Sequence, residues 1–180
     1  TLGGWLGDKF GAKRTSIEAG LKYFVLGAFA AAMYLFGAAL VYAGTGTLTL
    51  SSMDAADLSK SITIAGGALI AASLFFKISV FPFHLWVPDV YQGAPAPVTT
   101  FMATGTKAAA FAFLLPMAVL LPSDAAVLLA AIAVATMALG NLGALVQTDL
   151  KRLLAYSGIS HAGTMLLAVA AQVSGGASAA

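Results

Sequence analysis

No cysteine occurs among the 180 residues, and only 9% of them carry a charge. The first absence removes thiolate ligands but says nothing about redox compartment, because a core embedded in a bilayer needs no disulfide staple. The second is more restrictive. A chain that is 60% hydrophobic, with a mean hydropathy of +0.93, has too little polar surface to solvate a globule of this size, whereas lipid requires none. Also missing are a Walker sequence, a dinucleotide glycine fingerprint and any Cys/His metal spacing. No cofactor is therefore expected in this chain, and redox chemistry is expected to lie elsewhere. The net charge of +2 comes from scattered cations that mostly mark helix ends, so nucleic acid is not an expected partner.

What is present is length in apolar runs. A transmembrane helix needs about 20 mainly apolar residues, and five segments qualify, over 17–43, 61–92, 97–121, 124–146 and 150–173. The expectation is an all-α integral membrane protein, multi-pass, with the lipid bilayer as its first partner. The opening at Thr1 without Met and the closing tract SGGASAA lead us to expect a piece of a larger membrane protein. Lys9, Lys13 and Arg14 precede the first segment, and Lys151 and Arg152 lie between the fourth and fifth. Five alternating spans bring these clusters to one side, which the positive-inside rule assigns to the cytoplasm. The region 44–60, with Gly44, Gly46, Ser51, Ser52, Asp54 and Asp57, reads as an external turn.

The second segment is too long for a plain span. As one helix, 61–92 would reach about 46 Å, against a hydrocarbon core of roughly 30 Å. Pro82 and Pro88 each remove a backbone donor and clash with the preceding turn. A break near Pro82 is the economical reading; a kinked packing helix is the alternative. Lys77 stands five residues before Pro82, and an ammonium so placed in hydrocarbon costs roughly 2.5–3.5 kcal/mol on insertion scales. Lys107 presents the same problem, about 15 Å into the third segment, where its stem cannot reach the headgroups. Both lysines are expected to face a polar interior.

His161 reaches a similar depth in the fifth segment, and His84 follows Lys77 by seven residues. An imidazole can pass protons near pH 7; each histidine alone reads equally as a hydrogen-bonded packing residue. Glu18 and Lys22 form the favourable acid-before-base pair four residues apart, which suits either an interfacial ion pair or a polar entrance. Asp89 precedes a turn marked by Gly93, Pro95 and Pro97 and reads as structural. Asp149 is placed to cap the fifth segment. A desolvated lysine with a suitable neighbour can move between charged and neutral near pH 7, as proton loading requires, whereas it is a poor ligand for a metal cation.

Three blocks, SIEAGLKYFVLGAFAAAMYLFGAALVY, FFKISVFPFHLWVPDVYQGAPAPVTTFMATGTKAAAF and QTDLKRLLAYSGISHAG, resemble the subunit N family of NADH-quinone oxidoreductase, antiporter-like proton-pumping subunits of respiratory complex I. A PFHLWxPDxxxxAP core alone also fits Mrp-type Na⁺/H⁺ antiporter subunits and membrane-bound hydrogenase subunits; the extension VYQGAPAPVTTFMAT and the EAGLKYF block favour subunit N. The resemblance implies an inverted-repeat bundle, with a cytoplasmic connection over 1–16, first-repeat helices over 17–121 and the first helices of a second repeat over 122–180. It implies a bacterial inner membrane, other membrane subunits of the complex as partners, and protons as the cargo, moved in concert with electron transfer from NADH to quinone. It implies that Lys77 is the lysine of the broken helix and Lys107 the one that passes protons laterally, that Glu18 and Lys22 serve the cytoplasmic half-channel, and that His161 is the histidine of the helix that starts the second repeat; with two lysines at depth in the same bundle, His84 is a further candidate for the proton path.

Overall fold

The computed structural model describes residues 14–53, 60–117, 121 and 124–177. The expected connection over 1–16 lies largely outside them, as do Asp54 and Asp57. Six α-helices and one 3-10 turn (Leu50–Ser52) make up the described chain: α1 (Arg14–Thr45), α2 (Ser61–Ile78), α3 (Val87–Gly93), α4 (Ala96–Met117), α5 (Ala125–Leu145) and α6 (Leu150–Ala177). No strand occurs among these residues. In hydrocarbon a helix satisfies its own backbone groups, which is why apolar runs of this length take that form. All except α3 are long and apolar enough to cross a membrane.

The ends of the elements have local causes. The α1 helix stops at Gly46, whose φ of +72° lies in the left-handed region that glycine enters freely, and the Gly46 N–H returns to the Tyr42 carbonyl at 2.8 Å. At the start of α6, Asp149 Oδ1 accepts from the Arg152 N–H at 3.1 Å, the expected cap.

The long second segment is two helices rather than one. The α2 helix ends at Ile78, where Ser79 adopts φ 68°, ψ 42° and sends its N–H to the Phe75 and Phe76 carbonyls. Residues 79–86 form turns, with a cis Phe81–Pro82 bond, before α3 begins with Pro88 in its first turn. A proline near a helix start loses nothing, since that N–H has no intrahelical partner. The freed backbone groups of the break are taken up individually. Val80 N–H goes to Phe75 O (3.2 Å) and Phe83 N–H to Val80 O (2.7 Å). Trp86 Nε1–H reaches Phe76 O at 3.3 Å, and Phe81 N–H reaches the Thr136 hydroxyl of α5 at 3.0 Å.

Packing between helices depends on missing side chains. A Cβ on Gly66 of α2 would stand 2.7 Å from the Gly37 carbonyl of α1, and one on Gly140 of α5 would stand 2.7 Å from Ser160 of α6. Such close approach is the membrane substitute for a hydrophobic driving force, which lipid tails do not provide. Around the break sit Ile78, Val80, Leu114, Leu129 and Ala133, all buried. A second cluster gathers Phe76, Trp86, Val87 and Tyr91 with Ile159 of α6. Phe24, Phe29, Leu35 and Phe36 of α1 face outward.

Candidate functional site

Lys107 lies three turns into α4 and is only 5% exposed. Its ammonium donates to the Gly158 carbonyl of α6 at 2.9 Å. The ammonium lies close over position 158, where a Cβ would meet Nζ at 3.4 Å, an ordinary contact distance. No carboxylate pairs with Lys107 among the described residues. Lys77 occupies the last turn of α2, half-buried at the break. Its Nζ sits 5.6 Å from the centroid of the Tyr23 ring on α1, within cation–π range. Tyr23 in turn contacts Trp86 (5.3 Å between centroids), and Trp86 stacks on Phe76 at 5.1 Å.

His84 lies inside the break and is buried, its ring 6.1 Å from that of Phe81. The turns at 81–86 remove the helical stacking on Lys77 that a seven-residue spacing would give. Its Nδ1, Ser79 Oγ and Tyr91 OH are buried polar atoms without a hydrogen-bond partner among the described residues. All three belong to the break or to α3. His161 is exposed on α6, three residues beyond Gly158, and the structure does not bring it against either lysine.

Glu18 and Lys22 form the expected pair, at 2.9 Å. Sequence reasoning missed the other carboxylate on that ammonium: Asp89 Oδ2, from α3, at 2.8 Å. The second Asp89 oxygen takes Arg152 NH1 of α6, also at 2.8 Å. Asp89 thus joins three elements. Gln92 accepts from Arg152 NH1 (3.2 Å) and Lys151 Nζ reaches the Ala94 carbonyl (2.8 Å), so α6 grips α3 at several points. Asp89 lies outside the five apolar spans, and the Lys22 ammonium, with Arg152, holds its carboxyl below its ordinary value against the opposing pull of burial. Glu18, Lys22, Asp89 and Gln92 line a cleft of about 130 Å³. The signal for this cluster was the alternation of spans, which brings the starts of α1 and α6 to the end where α3 finishes.

Residues 5–180 match the family described as NADH:quinone oxidoreductase/Mrp antiporter, transmembrane. The chain belongs to this family. NADH-quinone oxidoreductase subunit N from Salinibacter ruber is 51% identical over 167 residues, covering 89% of this chain and 34% of that protein. A chain of respiratory complex I from Thermus thermophilus superposes with a TM-score of 0.76 at 48% identity, over 87% of this chain and 35% of its own length. The Mrp complex from Dietzia sp. contains a chain of the same shape (TM-score 0.77, covering 88% and 30%), but only 27% identical. The chain therefore spans about a third of the length of these relatives of the NADH:quinone oxidoreductase/Mrp antiporter family. Among the described residues, no three His, Cys, Asp or Glu side chains are grouped to hold a metal ion.

Proposed function

We propose that this chain is a segment of a subunit N that carries protons across a bacterial inner membrane on buried lysines, as part of an NADH-quinone oxidoreductase translocase. Electron transfer from NADH to quinone takes place in other subunits, with no redox step in this chain. The observation that carries this reading is a lysine closing a helix at a break within a membrane span, with a second lysine buried on a neutral carbonyl one helix away. Broken helices near the midplane are the means by which membrane transporters expose backbone and charge to an ion path. Identity of 48–51% to complex I chains against 27% to the Mrp chain favours this reading over a Na⁺/H⁺ antiporter subunit.

In this reading Lys77 loads protons and Lys107 passes them on, with Glu18 and Lys22 at the cytoplasmic entrance. His84 and His161 are available to the path, His161 through parts of the complex packed on the outer face of α6. The first repeat ends at 121 and the second begins at 122. The other membrane subunits of the complex cover the outward apolar faces.

Proton loading separates from a purely structural charge by one comparison in the intact complex. Lys77→Arg keeps size and charge, but guanidinium, with a pKa above about 12, cannot release its proton near pH 7. Pumping should collapse with Arg while assembly on a native gel persists. Full pumping with Arg, and lost assembly with Lys77→Met, would instead make Lys77 a structural counter-ion. Orientation is tested separately: a cysteine at Lys151 should be labelled from the cytoplasmic face alone, and one at Ser52 from the opposite face. Labelling of both from one face refutes it.

A further inference from the structure

Thr136 is fully buried in α5, in a helix whose surroundings are almost wholly apolar. Its hydroxyl proton is committed to the Ile132 carbonyl one turn back, at 2.6 Å. The oxygen keeps its lone pairs for accepting, and one of them takes the Phe81 N–H at 3.0 Å, across 55 residues of chain. Phe81 lies in the break, four residues after Lys77. In a continuous α-helix the partner of the Phe81 N–H would be the Lys77 carbonyl itself. The hydroxyl and that carbonyl compete for one proton, and the hydroxyl holds it.

We infer that Thr136 is a positioning residue for Lys77: Ser79 and Pro82 end α2, and by taking the Phe81 N–H the Thr136 hydroxyl ties the turn that follows to α5 and so holds the end of α2 that carries the lysine. A backbone donor in a water-poor interior is not left unpaired. With the hydroxyl gone, the turn loses its tie to α5, and the end of α2 is free to shift the Lys77 side chain relative to the Tyr23 ring. The neighbouring backbone amides make no comparable tie to another helix. Ser79 N–H and Val80 N–H are both spent on Phe75 and Phe76, and Trp86 Nε1 supplies a donor to Phe76 O where an acceptor is needed. This inference rests on the reading of Lys77 as a proton-loading group.

The test uses the whole complex in closed membrane vesicles, with NADH-driven proton uptake and NADH oxidation measured side by side, and assembly followed by native gel. Thr136→Val keeps the β-branched shape and removes the acceptor, whereas Thr136→Ser keeps the hydroxyl. Losing an acceptor that a buried donor needs should lower proton uptake roughly five- to ten-fold in the valine variant. The serine variant should stay close to wild type. Wild-type uptake in the valine variant, or equal losses in both variants, overturns the inference. If the valine variant does not assemble, Thr136→Cys, nearly isosteric and a weak acceptor, takes its place: reduced uptake supports the inference and wild-type uptake overturns it. Lys77→Ala is run alongside. Normal uptake in that variant overturns the loading reading itself, and the inference with it, while lost uptake in Lys77→Ala with normal uptake in Thr136→Val overturns the inference alone.

Discussion

Lys22 stands half-exposed between two carboxylates, at 2.9 and 2.8 Å, whereas Lys107 is 5% exposed and meets one neutral carbonyl. The two lysines belong to differently built regions. At the polar end, compensation is redundant: Lys22, Asp89 and Arg152 each have more than one partner, and the partners come from three elements. In the interior it is solitary, since among the described residues neither Lys77 nor Lys107 touches a carboxylate. Solvated pairs contribute little each, typically 0–1 kcal/mol, so a network near water is a way to hold elements together by number. A lone ammonium in an apolar interior makes at most one such attachment, as Lys107 does to Gly158, and is expensive to keep. In the proposed function its presence is accounted for by proton transfer.

This contrast makes graded predictions. The largest effect should come from Lys107→Ala, which leaves assembly intact but lowers NADH-driven proton uptake in vesicles about ten-fold or more, since no neighbouring group replaces the ammonium. Unchanged uptake would erase the distinction between the two regions. Next comes Asp89→Ala, which deprives Lys22 and Arg152 of their shared acceptor. The expected loss is about 1–2 kcal/mol, reduced from the buried value because all three side chains are partly exposed. It should be read as a lower unfolding temperature of the complex rather than as lost pumping. A loss as large for uptake as that of Lys107→Ala would make Asp89 itself a proton-carrying group of the entrance rather than a tie between elements.

The smallest effect is a pH dependence. The Asp89 carboxyl is held below its ordinary value of 3.8, so its ionised form is favoured by folding. The sign is that of a depressed acid: the contribution is fully present above about 3.8 and disappears only as pH falls through the lower, folded value. The difference in unfolding temperature between wild type and Asp89→Asn should therefore be constant from pH 8 down to pH 5. A difference that shrinks between pH 7 and 6 would assign the titration to another group.

The five spans were legible because lipid demands long apolar runs, and the expected bounds differ from the observed ones by only a few residues at most ends. The break was legible for two reasons that agree, namely excess length and Pro82. The Glu18–Lys22 pair follows from local helical spacing. What could not be read depends on distant pairing. Asp89 looked like a turn residue because its partners, Lys22 and Arg152, are 67 and 63 residues away. Thr136 carries no signal at all, since a threonine in an apolar helix ordinarily bonds back to its own preceding turn, and this one does that as well. Depth along a helix was predictable for His161, but the direction it faces was not, because α6 has small and apolar residues on every side.

The shortness of α3 bears on how the protein is made. Its seven residues extend about 10 Å, well short of a span, and it carries Asp89. Such a piece cannot be stored in a bilayer by itself. Its companion on the N-terminal side, Lys22, is synthesised before it, but Arg152, Lys151 and the Asp149 cap emerge only after two more helices have been made. The Asp89 carboxylate can therefore reach its full set of partners only after the start of α6 has been made.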